Sequence, residues 1–336
     1  MHDGMLSADQ AERLRALVSA SRGATADRRV VAPASQPAAP TAAPAPQASR
    51  FSVSPTSPID RLRAPRLARA VAISSGKGGV GKTNLAVNLA IALAARGRRV
   101  ALLDADLGLA NADVLCGLAP RATLEDVVAG DRTIDEVMVD APGGFRLVPG
   151  ASGVSRLADL GQMQRRSVLE QLLWLERSVD VLLVDTGAGI GANSMAFASA
   201  AHTILVTATP EPTAIADAYG AIKTLVARGC RDGLGLVVNM AASEEEGASV
   251  HARIDRVSRA FLNARVQSFG AVPLDASVPA SVRRRTPFAV AAPSSPASRA
   301  VARIAQRLYG ESSSDIPTDV RSSFLGRLLG RLSRRH

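Results

Sequence analysis

A chain of 336 residues with 47% hydrophobic content can enclose a large core, and with only 3% aromatic residues that core must be aliphatic, as in a sheet covered by helices. Cys116 and Cys230 stand without C-x-x-C spacing, which argues against a disulfide framework and against a clustered-cysteine metal site, and fits a reducing, cytoplasmic setting. The formal charge of +10 favours contact with phosphate, whether on nucleic acid or on an anionic membrane surface.

The first predicted element is a short helix within residues 5–20, where Leu6, Leu14, Leu17 and Val18 recur among charged residues and Ser7 can cap the start. Asp3, Asp9 and Glu12 interrupt any apolar run there, which speaks against a signal peptide. From 21 to 69 the chain turns to Ala, Pro, Ser and Thr, a composition that cannot bury enough surface to offset chain entropy and reads as a linker.

From 70 to 310, β-type and helical patterns alternate: strand VAIS, a helix after Thr83, strands RVALLD and FRLVP, a helix over 167–177 and strand VDVLLVD. There follow HTILVTA, a helix over 213–228, GLGLVVN, a helix through Asp255, SFGAVP and a closing helix over 297–309. This alternation predicts an α/β fold, a doubly wound, mostly parallel sheet with helices on both faces. A polar stretch, 311–319, then leads to a last segment, 320–336. No run reaches the roughly 18 apolar residues of a spanning helix, so any membrane contact is expected to be peripheral.

Gly76, Lys77, Gly78, Gly79, Val80, Gly81, Lys82 and Thr83 match G-x-x-x-x-G-K-[ST] between a predicted strand and a predicted helix. Glycines there let backbone N–H groups turn toward a phosphate, the helix N-terminus adds partial positive charge, Lys82 reaches the β- and γ-phosphates, and Thr83 can ligate Mg²⁺. Asn84 extends the candidate nucleotide contacts. Asp104, Asp106 and Asp185 close predicted strands, where acids can hold a hydrated Mg²⁺. Of only three lysines, Lys77, Lys82 and Lys223, two lie in this loop of an otherwise arginine-rich chain. ATP and Mg²⁺ are the implied ligands.

With Lys77 inside it, KGGVGKT resembles the deviant Walker motif of the MinD/ParA family of ATPases, over roughly 71–308. That resemblance implies slow, dimer-dependent ATP hydrolysis in which Lys77 reaches the partner copy's phosphates. It gives Asp106 the role of orienting the attacking water and sets Asp104 near the metal. Asp185 with TGAGI then matches the Walker B and switch II segment, Asn239 the reader of the adenine edge, and Pro273 the residue packed on the base.

KTNLAVNLAIALA, TPEPTAIADAYGAIK and the stretch from VRRRTPF to ARIAQRL resemble the FlhG-type branch, which controls flagellar number. Asp9, Gln10, Ala11, Leu14 and Arg15 in DQAERLR are similar to the element with which that branch stimulates the FlhF GTPase. The partners so implied are a second copy, an FlhF-like GTPase, flagellar C-ring components and an anionic membrane, with no specific nucleic acid. Two relatives of the same core offer alternatives, a MinD-type division-site regulator and a ParA-type partition ATPase on nonspecific DNA. Partition ATPases usually carry D-x-D-P-Q where this chain has DADLG.

In the last segment, Phe324, Leu325, Leu328, Leu329 and Leu332 fall on one helical arc, with Arg327, Arg331, Arg334 and Arg335 beside it. Apolar and cationic faces so paired predict a helix lying in the membrane surface.

Overall fold

The structure, a computed structural model, describes residues 67–106, 110–150, 161–310 and 323–332. The expected helix at 1–20 with its partner-contacting residues, most of the linker and the polar stretch 311–319 lie outside the described residues. The linker ends earlier than composition suggested, because Leu67 and Ala68 are already buried and Arg69 opens the first strand.

In chain order the elements begin with β1 (Arg69–Ser74), α1 (Lys82–Ala94), β2 (Val100–Ala105) and three short helices, α2 (Ala112–Leu115), α3 (Leu124–Ala129) and α4 (Ile134–Val137). Next come β3 (Val139–Ala141), β4 (Phe145–Val148), α5 (Gln162–Ser178), β5 (Val181–Thr186), α6 (Ala192–Ala200) and β6 (Thr203–Ala208). The remainder is α7 (Pro212–Ala227), β7 (Leu234–Ala241), α8 (Glu244–Leu262), β8 (Gln267–Pro273), α9 (Ser277–Arg283), α10 (Phe288–Ala291), α11 (Pro296–Gly310) and α12 (Phe324–Leu332).

The strands form one eight-stranded sheet in the order β3-β4-β2-β5-β1-β6-β7-β8, parallel except for the β3–β4 pair. The doubly wound α/β expectation holds. The antiparallel pair at the edge is a hairpin closed through Gly143 and Gly144, both at positive φ where a side chain would be strained. Central strands are buried along their whole length, as strands covered on both faces must be. In β2 the faces alternate: Ala101, Leu103 and Ala105 enter one core layer, Val100 and Leu102 the other. One layer is sealed by α1, α10 and α11, the other by α5, α6, α7, α8 and α12.

The last helix is docked on the domain in this structure. Phe324, Leu325 and Leu328 were expected to face lipid, but they are buried in an apolar crevice with Leu103, Leu172, Leu175, Leu182 and Phe197, and Leu329 packs beside them. Arg327 donates to the carbonyl of Ala201 at 3.2 Å, and Arg331 donates to the carbonyl of Arg228. Those carbonyls end α6 and α7, so the two cations meet the negative ends of two helices. Ser323 caps the start of α12, its hydroxyl accepting the N–H of Gly326 at 3.0 Å. An amphipathic helix fits an apolar protein crevice for the same reason it fits a lipid surface; here the crevice and the helix ends claim both faces. The side chain of Leu332 and the residues beyond it lie outside the described residues.

Candidate nucleotide site

Parallel strands in a doubly wound sheet present their carboxyl ends on one side, where loops can converge on a ligand. The loop from Gly76 to Thr83 connects β1 to α1 on that side. Gly79 and Gly81 have φ of 80° and 82°, the left-handed turn that aims successive N–H groups inward. Gly76 answers a second constraint, since a Cβ there would come within 2.0 Å of the Asp217 carbonyl oxygen on α7. The loop is thus packed against a helix that the motif itself does not contain.

Lys82 is buried at the start of α1, and its Nζ lies 2.7 Å from Asp185 Oδ1 at the end of β5. Asp185 sits in register with Asp104 on the neighbouring strand β2. Burial holds the Asp185 carboxyl above the usual range, opposed by Lys82 and by the Thr83 hydroxyl beside it. Asp104 is pushed up to about 6 by burial and by the charge of Asp185. Its Oδ2 accepts the N–H groups of Asn111 and Ala112, each at 3.1 Å, and Oδ1 that of Asp106 at 3.2 Å.

Asp106 stands over the segment that follows Asp185: a Cβ at Gly187 would lie 3.4 Å from Asp106 Oδ1. That segment is tied to the phosphate loop, because Gly189 N–H donates to the Ser75 carbonyl at 3.0 Å and Thr186 Oγ1 to that of Ile73 at 3.0 Å. The structure therefore brings together Gly76 to Thr83, Asp104, Asp106 and Asp185 as the sequence implied; residues 107–109 lie outside the described set.

Lys77 is placed otherwise than the sequence alone could say. Its Nζ is 2.9 Å from Glu211 Oε2 and 3.2 Å from Thr213 Oγ1, both at the start of α7 and in the same chain. Glu211 and Thr213 were not singled out as site residues, although they lie in the TPEPT stretch just after β6, where an acid at a strand's carboxyl end was the available signal. Asn239 Nδ2 donates to the Val80 carbonyl at 2.8 Å, so the amide braces the phosphate loop. Pro273 ends β8, and Leu274 after it is 74% exposed. Ile190 and Met240 are further exposed apolar side chains on this side of the sheet.

The donor set fits a metal-bound nucleoside triphosphate. Asp185 Oδ2 is buried and takes no well-formed hydrogen bond among the described residues, the Thr83 hydroxyl is beside the same carboxylate, and Asp104 is its neighbour in register. These three oxygens would serve a hard divalent cation, alongside water and phosphate oxygens, and such a cation would neutralise charge on the phosphates during transfer. On a bound nucleotide, Lys82 would set a fixed positive charge at the loop, the loop N–H groups would hold phosphate oxygens, and Asp106 would orient water.

A model of the ParA family, described as NUBPL iron-transfer P-loop NTPase, matches residues 66–309. The chain belongs to the ParA family. The antiactivator FleN of Pseudomonas aeruginosa is 44% identical over 238 residues, which span 71% of this chain and 85% of FleN. The flagellum site-determining protein YlxH of Helicobacter pylori is 34% identical over 263 residues, 77% of this chain and 89% of YlxH. Among solved structures, the MinC:MinD cell division protein complex of Aquifex aeolicus superposes with a TM-score of 0.59 at 30% identity, covering 74% of this chain and 98% of that one. This ParA-family chain is a P-loop ATPase. Its two cysteines serve opposite core layers, Cys116 one and Cys230 the other, so they do not converge on a shared site within the chain.

Proposed function

We propose that this ATPase is a nucleotide-driven switch that regulates flagellar number and placement, cycling between a free form and a membrane-bound dimer. The observation that carries the reading is Lys77. It leaves its own phosphate loop, rests 2.9 Å from Glu211 and is 32% exposed, within reach of a second copy docked on the same side of the sheet. In the ATP form two copies face each other, each Lys77 exchanging Glu211 for the partner's phosphates. Exposed Ile190, Met240 and Leu274 supply apolar contact across that interface.

Dimer formation frees α12 for the membrane. Each copy alone binds lipid weakly; two helices on one particle bind far more tightly through effective concentration. The flagellar assignment is supported by the similarity to FleN and YlxH. The element Asp9 to Arg15 would act as the activator of an FlhF-like GTPase, reached through the linker.

Size-exclusion chromatography with ATP tests the core of this reading, since Asp106→Ala should retain nucleotide, stall hydrolysis and accumulate dimers. A variant that stays monomeric would sink it. For the partner, a synthetic peptide of residues 1–22 should stimulate GTP hydrolysis by an FlhF-like GTPase, and reversing Arg13 and Arg15 should remove the effect; absence of stimulation by peptide and by full chain overturns the assignment.

A further inference from the structure

Away from the nucleotide site, one buried carboxylate has only part of its bonding capacity met. Glu176, in the last turn of α5, is 1% exposed. Its Oε1 accepts the N–H of Leu325 at 2.7 Å, the N–H of Phe324 also points to the carboxylate, and Oε2 has no hydrogen-bond partner among the described residues. These are N–H groups of the first turn of α12, which its own helix cannot satisfy. Glu176 therefore caps α12 from a different element and complements its positive end.

The surroundings work against a charge. Leu103 from β2, Leu182 from β5, Phe197 from α6, and Leu172 and Leu175 from α5 itself line the crevice, and the charged group that reaches Glu176 is Arg327 of α12. An ionised carboxylate with one bare oxygen among leucines loses more hydration than two N–H groups restore. Burial accordingly pushes the Glu176 carboxyl up to about 7, against the hydrogen bonds and Arg327.

We infer that Glu176 is a proton-sensitive catch on α12, holding the helix firmly when protonated and weakly when ionised. This rests on the reading that α12 leaves its crevice, and it names what regulates that departure. Once α12 is gone, Glu176 faces water, where its carboxyl titrates near 4.5. Between 4.5 and about 7 the docked form keeps a proton that the undocked form gives to solvent. Docking therefore weakens as pH rises through that window, by up to about ten-fold per unit, and levels off above it.

Hydrogen exchange of the full-length chain, read by mass spectrometry on residues 323–332, tests the catch. Glu176→Gln keeps an oxygen for the Leu325 N–H without the charge. The slowing of exchange of these amides in Glu176→Gln relative to the parent chain should be about ten-fold greater at pH 8 than at pH 6. Glu176→Lys, which sets a cation at the helix's positive end beside Arg327, should remove protection of 323–332 while protection of β5 and β1 persists. A ratio of parent to Glu176→Gln exchange that is the same at both pH values overturns the inference. Sedimentation with phosphatidylglycerol vesicles separates it from the membrane reading: a Glu176→Lys chain with a freed helix that ignores vesicles leaves the catch standing and defeats the membrane role.

Discussion

Lys77 Nζ and Glu211 Oε2 lie 2.9 Å apart across 134 residues of sequence, joining the phosphate loop to the first turn of α7. An exposed pair of this kind is worth about 0.2–1 kcal/mol. Glu211→Gln should therefore free Lys77 at little cost to the fold and tighten ATP-dependent dimerisation by about two- to five-fold. Analytical ultracentrifugation across a concentration series checks this; unchanged or weaker self-association would show that Glu211 does not compete for Lys77.

The buried pair Lys82–Asp185 behaves differently. Removing one partner leaves a charge without compensation, so Lys82→Ala should lose both nucleotide affinity and about 3–5 kcal/mol of stability. The Lys82→Ala, Asp185→Asn double variant should recover much of the stability and none of the affinity. Thermal unfolding alongside fluorescent-nucleotide titration separates the two effects.

Gly76→Ala should fail for steric reasons, because the added Cβ would meet the α7 backbone at Asp217. Either the loop or the helix must shift, and nucleotide affinity should fall at least ten-fold even though Lys82 and Thr83 remain. Isothermal titration with ATP and Mg²⁺ measures the loss, and affinity within two-fold of the parent would contradict the close packing.

Leu328→Glu places a carboxylate in the crevice that buries Leu328. It should undock α12, raise binding of an apolar dye to the exposed crevice and abolish sedimentation with anionic vesicles, since the same side chain serves both surfaces. Deletion from Ser323 should do likewise. If the deletion chain still sediments with vesicles, the membrane contact lies elsewhere.

The phosphate loop and its acids were legible because each is a local pattern: glycines at fixed spacing after a strand, aspartates closing apolar runs. Short helices α2 to α4 and the edge strand β3 went unread because each is too brief to build a period. Helix α6, AFASA-rich and buried nearly all round, has no polar face to betray its turn. Glu211 as the acceptor for Lys77, Glu176 as the cap of α12, and Ala201 and Arg228 as carbonyl partners of the tail arginines all depend on contacts more than a hundred residues apart. The amphipathic pattern of the tail was legible as two faces of a helix, but the crevice from β2, α5, β5 and α6 that its apolar face occupies here was not, because its walls come from four separate parts of the chain.

Helices α6 and α7 each begin on the nucleotide side and end beneath the tail. The first starts just after the segment that follows Asp185 and stops where Arg327 grips Ala201; the second starts just after Glu211 and stops where Arg331 grips Arg228. At 16 residues, α7 is a rod about 24 Å long. A rod does not shift at one end alone. An axial slip of α7 on Lys77 parting from Glu211 would therefore be felt at the Arg331 guanidinium at the far end, which makes α7 a push-rod between the phosphate loop and the tail.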